Sequence, residues 1–186
     1  MSQRINLRTE MRPSGTALAD ALDATVDALS TSADDALSKA QAEGFPDRGA
    51  VIAFTERLRA LIERHRERAA LRAEVPALAE RLLRILVRVP LPVESSPEDV
   101  VIRFFERLPA VRQLLAEDVE AAFEGDPAAS SHAEIVVSYP SIDAVAIYRL
   151  ANALHAVGVP LVPRMMTEYA HGLTGIDIHP GAEIGR

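Results

Sequence analysis

The chain has 186 residues, a formal net charge of −7 and no cysteine. The absence of cysteine excludes a disulfide framework, a thiolate metal site and a cysteine nucleophile, and the acidic balance argues against general nucleic-acid binding, which draws on excess Lys and Arg. Apolar residues make up 48% and aromatics 4%, enough for a core and a composition that favours helices over sheets.

No run approaches the roughly 18 uninterrupted apolar residues of a membrane span. Met1–Arg12 is polar and lacks the apolar middle of a secretory signal. A cytoplasmic protein with no membrane partner is the expectation. Residues 1–15 end in Pro13-Ser14-Gly15 and are expected to form a flexible N-terminus. Leu18, Leu22, Val26 and Leu29 then recur at helical spacing. A weaker helical stretch over 33–43 stops at Gly44-Phe45-Pro46. Val51, Phe54, Leu58, Leu61 and Ile62 share one helical stripe. Pro76 is expected to interrupt that pattern and start a new helix carrying Leu78, Leu82, Ile85, Leu86 and Val89, which Pro90-Leu91-Pro92 ends.

Ser96-Pro97-Glu98-Asp99 has the residues of a helix start: a capping hydroxyl, proline at the first helical position, and acids facing the positive end of the dipole. Phe104, Phe105 and Leu108 belong to this helix, which Pro109 kinks or restarts. The pattern then continues through Val111, Leu114, Leu115 and Val119 to Gly125. Asp126-Pro127 reads as a further cap-plus-proline helix start. Ser141 is expected to cap a helix holding Ile142, Val145, Tyr148 and Leu154, closed by Gly158. Pro160 opens a last helix with Leu161, Met165, Glu168 and Tyr169.

Nine arginines lie between Arg57 and Arg88, with five glutamates between Glu56 and Glu80. The favoured reading is a solvated, ion-paired helical face, the alternative an anion or partner patch. His65 sits in this run and reads as a surface residue. His132, His155 and His171 lack carboxylate or cysteine partners at metal-ligand spacing, so no metal site is expected.

The end of the chain changes character. Ile178 and Ile184 stand six residues apart, with Ala182 four after Ile178 and Gly185 next to Ile184. Left-handed parallel β-helices place a branched aliphatic residue at the first position of each hexad, facing a narrow prism, and a small residue near the corner. Such a solenoid needs several stacked coils. The expected fold class is therefore all-α. A multi-helix N-terminal domain over 16–172 is followed, at 173–186, by the first residues of a left-handed parallel β-helix that is not completed.

Three segments in order resemble the serine O-acetyltransferases, the hexapeptide-repeat enzymes that acetylate serine on the route to cysteine. They are Asp126-Pro127-Ala128, Ala146-Ile147-Tyr148-Arg149-Leu150-Ala151, and Thr174-Gly175-Ile176-Asp177-Ile178-His179-Pro180-Gly181-Ala182-Glu183-Ile184-Gly185. Asp126 and Tyr148 are 22 residues apart and Tyr148 and Asp177 are 29 apart, which also matches the family. The resemblance implies transfer of an acetyl group from acetyl-CoA to L-serine. It implies self-association into trimers or hexamers, feedback inhibition by cysteine, and no bound cofactor or metal beyond acetyl-CoA as co-substrate.

The resemblance also implies site roles. Asp177 matches the family aspartate that orients a catalytic histidine and stabilises its charged form. The alternation of Ile176 and Ile178 points Asp177 to the opposite face; the local alternative is an aspartate bonding nearby backbone amides. The partner histidine would lie about fifteen residues beyond Asp177, past Arg186, so the chain by itself is expected to be inactive. His179 matches a structural position. Asp126 matches a residue that holds the amino-acid substrate, while its local reading is a helix cap. Tyr148 and Arg149 are expected to pack and to form an ion pair. The rival reading is a stand-alone helical oligomerisation or regulatory module without catalysis.

Overall fold

A computed structural model of the chain describes residues 15–31, 36–64 and 67–185. His65 and all but the last residue of the N-terminal stretch lie outside the described residues. Nine α-helices and no strand occur among the described residues, so the all-α expectation holds. The chain divides into two compact units, Met1–Ala42 and Glu43–Arg186.

The first unit contains α1 (Gly15–Thr31) and nearly all of α2 (Ala36–Glu43). The stripe Leu18, Leu22, Val26 and Leu29 does form a helix, but each of the four side chains stays more than half exposed.

The second unit holds α3 (Arg48–Arg64), α4 (Arg68–Leu86), α5 (Pro97–Phe105), α6 (Leu108–Gly125), α7 (His132–Ser138), α8 (Pro140–Ala156) and α9 (Val162–Thr174). Its centre is α8, which packs on α3, α6, α7 and α9. Ten of its residues are buried, among them Ile142, Ile147, Leu150 and Leu154, and Ala144, Ala146, Ala151 and Ala153. A helix with apolar residues round most of its circumference lies inside, and the alanines let its neighbours approach closely. Phe54 and Leu58 from α3, Leu78 and Leu82 from α4, Phe104 from α5 and Met166 from α9 complete the core with full burial. Each such side chain contributes roughly 1.5–3 kcal/mol of transfer free energy.

Local signals account for several boundaries. The Ser96 side chain accepts the Asp99 N–H at 3.0 Å and starts α5 as expected. Asp47 does the same for Ala50 at 2.7 Å ahead of α3.

Four expectations are corrected. Pro76 does not begin a helix; α4 starts at Arg68 and runs through it. Leu71 and Val75, on the N-terminal side of the proline, pack against the core, and Glu74 is bonded to Arg57 of α3 at 2.8 and 3.0 Å. Those tertiary contacts offset the lost ladder bond. Leu108 belongs to α6 rather than to the helix before it. Asp126-Pro127 does not start a helix, because α7 begins six residues later and is capped by Ser131, which accepts the Glu134 N–H at 3.2 Å. Ser141 does not cap α8; the cap position is Tyr139, without a side-chain bond.

The entry to α9 is tighter than the sequence suggests. Leu161 has φ +60° and ψ −57°, and the Val162 N–H donates to Pro160 O at 2.6 Å. This is a three-residue turn with its central residue in a conformation costly for a side-chain-bearing residue.

Candidate functional site

Asp126 closes α6 instead of opening a helix. Its Oδ1 accepts the Ala128 N–H at 2.9 Å, the ring of an Asx turn, and its Oδ2 accepts the Tyr139 hydroxyl at 2.5 Å. The Tyr139 bond, followed by the Ala128 amide, holds the Asp126 carboxyl below its ordinary range. In return, bonding to Asp126 pushes the Tyr139 phenol up to about 12. Two bonds use half of the roughly four lone-pair sites of a carboxylate. The remainder, on a half-exposed residue, can accept from an ammonium group.

Asp177 lies beyond α9, which ends in a left-handed Gly175 at φ +74°. The Thr174 hydroxyl accepts the Ile176 N–H at 3.1 Å and aims the chain away from the helix. Ile176 and Ile178 are half-buried while Asp177 is exposed, so the expected alternation is present although no ladder forms. An Arg164 nitrogen sits 3.7 Å from Asp177 Oδ1, at the outer edge of ion-pair distance. Arg164 also pairs with Glu168 one turn further along α9. The structure gives Asp126 and Asp177 separate partners, and among the described residues no imidazole is bonded to either.

His132, His155 and His179 are otherwise engaged. His155 and His179 meet edge to face with ring centres 6.3 Å apart, and His179 Nδ1 accepts the Gly181 N–H at 3.0 Å, a packing role as expected. A Cβ at position 181 would meet His155 Nε2 at 3.0 Å, a tight approach. His132 has one carboxylate neighbour, short of a metal-ligand set. Its Nε2 is 2.9 Å from Glu120 Oε2, and its ring stacks on Phe123 at 4.2 Å. Among the described residues no group of three or more His, Asp or Glu converges as a metal-ligating set, and no helix is long and apolar enough to cross a membrane.

Behind Asp177 the chain is fastened to α8. Tyr148 donates its hydroxyl to Ala182 O at 2.6 Å and accepts the Ile184 N–H at 3.3 Å. The Asn152 amide donates to Pro180 O at 2.8 Å and to Ala182 O at 3.3 Å. Arg149 Nη2 donates to Gly185 O at 3.1 Å, while the same guanidinium forms a two-pronged bond with Asp118 of α6. Tyr148 and Arg149 therefore pack and pair as expected, but their purpose is wider: they hold the segment after Asp177 to the central helix. Sequence reading missed Tyr139, Asn152 and Arg164 as partners. Only Tyr139 left a signal, as a boundary beside Pro140.

The charge-rich α3–α4 run is also not uniformly solvated. Arg57 and Glu74 pair near the surface, whereas the Glu63 side chain is 6% exposed. Burial pushes its carboxyl up from the usual range, against the pull of Arg59.

Comparison with known proteins bears out the resemblance drawn from Asp126 to Gly185. No protein-family model matches the chain. A plasmid serine acetyltransferase of Synechococcus elongatus is 45% identical over 96 residues, covering 52% of this chain and 30% of the relative. A serine acetyltransferase of Helicobacter pylori is 43% identical over 72 residues, 39% of this chain and 42% of that protein. Among solved structures, serine acetyltransferase isoform 3 from Entamoeba histolytica, in complex with cysteine, superposes with a TM-score of 0.57 at 27% identity, covering 69% of this chain and 48% of that one. Native serine acetyltransferase 1 from the same organism gives 0.56 at 28% identity, covering 68% and 50%. The chain spans under half the length of the curated relatives described and about half of each solved chain.

Proposed function

We propose that this chain supplies the helical part and the orienting aspartate of a serine O-acetyltransferase, an acyltransferase that converts L-serine and acetyl-CoA to O-acetyl-L-serine and CoA. The observation that carries the reading is the joint likeness in sequence and fold to serine acetyltransferases alone among the relatives described.

In this reading Asp126, kept ionised by Tyr139 and Ala128, receives the substrate ammonium group. Asp177 receives the N–H of an imidazole borne on a segment beyond Arg186. That imidazole takes the serine hydroxyl proton as the oxygen attacks the thioester carbonyl. The new C–O bond replaces the C–S bond, and the proton passes to the departing sulfur. Asp177 keeps the ring in the required tautomer and stabilises its charged form. The exposure of Asp177 and its long contact with Arg164 suit a carboxylate awaiting such a partner. Acetyl-CoA acts as co-substrate, with no resident cofactor, and the protein works in the cytoplasm.

Ile178, Ala182 and Ile184 would face the prism of a β-helix that forms trimers, with helical domains joining trimers into hexamers. The exposed side chains of Leu18, Leu22 and Val26 on α1 support self-association.

The test is thiol release from acetyl-CoA with and without L-serine, by the gene product read through the codon for Arg186 and beyond. Serine-dependent release is expected, with kcat reduced about 10²–10⁴-fold by Asp177→Asn. The 186-residue chain alone is expected to give none. Release that ignores serine, or an unimpaired Asp177→Asn, overturns the reading.

A further inference from the structure

Glu63 sits on the inner face of α3, and its Oε1 is buried without a hydrogen-bond partner among the described residues. Arg59 Nε, one turn earlier, is 3.8 Å away, beyond hydrogen-bond length. Arg59 is itself engaged by Asp143 of α8 and Glu56 of α3, and Glu56 accepts the Tyr169 hydroxyl from α9 at 2.8 Å. An unmet buried oxygen in a packed domain calls for an explanation.

The side chain does not face a sealed interior. Glu63 lines two clefts, of about 360 and 410 Å³, which share Glu63, His132 and Val136. The first lies among α3, α6, α7 and α8, and its floor is apolar, with Leu115, Val119 and Ile142. These volumes are those of small-molecule sites, concave and apolar with few polar groups fixing orientation. Carboxylate and guanidinium are matched in number along the lining, with Glu63, Glu120 and Asp143 against Arg59, Arg64 and Arg112, and His132 is paired to Glu120.

We propose that this cleft binds a small molecule bearing a primary ammonium or amidinium head on an apolar body. The head donates to Glu63 Oε1, and the body lies on Leu115, Val119 and Val136. A cationic donor meets the requirement of the orphaned oxygen; an anionic head does not. Neither Asp126 nor Asp177 lines the cleft.

The experiment is a titration of the isotope-labelled 186-residue chain with benzamidine, followed by amide NMR, with benzyl alcohol as the uncharged counterpart. Saturable shifts are expected at the amides of Glu63, Leu115 and Val136. Affinity is expected to fall at least tenfold for Glu63→Gln and for benzyl alcohol. Val136→Phe, which fills the cleft from its rim, is expected to abolish the shifts while leaving the far-ultraviolet spectrum unchanged. The proposal is overturned if those amides show no saturable shift, if Glu63→Gln binds benzamidine as tightly as the parent chain, or if Val136→Phe leaves binding intact.

Discussion

Arg149 and Asp118 are joined by two parallel hydrogen bonds, Nε to Oδ2 at 2.5 Å and Nη2 to Oδ1 at 2.7 Å. The arginine side chain is 4% exposed. Removing one partner of so buried a pair leaves an uncompensated charge, so Asp118→Ala is expected to cost about 3 kcal/mol in urea unfolding. Arg149→Lys is expected to lose most of the same amount, because an ammonium cannot span both oxygens. A loss under about 0.5 kcal/mol would place the pair among solvated surface bridges.

The Asp126–Tyr139 bond gives a titration prediction. Asp126 titrates below its usual 3.8 in the folded chain because Tyr139 and then Ala128 stabilise the carboxylate. With a depressed folded value, the stabilisation is present above the unfolded pKa and is lost as pH falls through the folded one. Tyr139→Phe is therefore expected to raise the Asp126 titration midpoint, read by carboxyl-carbon NMR, and to shrink the stability difference between neutral and acid pH. An unmoved midpoint would mean the hydroxyl does not bond the carboxylate in solution.

Glu63 behaves in the opposite sense. Burial raises its carboxyl above the usual 4.5. The protonated form is favoured by folding, so its contribution is full below the unfolded pKa and disappears as pH rises through the folded value. Glu63→Gln, which cannot ionise, is expected to raise Tm at pH 7 relative to the parent chain and to lose that advantage when pH is lowered past 4.5. A variant equally stable or less stable at both pH values contradicts this.

The turn before α9 yields a stabilising substitution. Leu161 holds φ +60° and is 45% exposed, so little burial compensates the strain. Leu161→Gly is expected to stabilise by about 1 kcal/mol, the strain relieved less the entropy of glycine. That corresponds to a Tm rise of roughly 2–4 °C. A fall in Tm would show that the side chain contributes more to packing than its exposure indicates.

What could be read in advance follows from how local each determinant is. Ser96 caps α5 through a bond to Asp99, three residues away, and that pattern is visible in the chain. The all-helical class follows from apolar spacing that α8 and α3 carry plainly. Pro76 was misjudged because the force keeping α4 intact comes from Leu71, Val75 and the bond from Glu74 to Arg57, seventeen positions earlier. Asp126 was misjudged because the same residue types suit a helix cap and an Asx turn, and only Tyr139, thirteen residues on, decides between them. Glu63 disappeared into a run of charges. Its inward orientation depends on where α6, α7 and α8 place their apolar side chains, which no spacing within α3 reveals. For the candidate site, the outward face of Asp177 was legible from alternation, whereas its neighbour Arg164 was not.

The fastening of residues 180–185 by Tyr148, Arg149 and Asn152 gives α8 a second role as a ruler. These three side chains project from about one helical turn, and they grip carbonyls at positions 180, 182 and 185. The heading on which the polypeptide leaves the bundle is thus copied from the azimuth of its innermost helix. Adding or deleting one residue between Gly175 and Pro180 would shift the carbonyls against that fixed spacing. The damage would reach the middle of the molecule rather than stay in a surface turn.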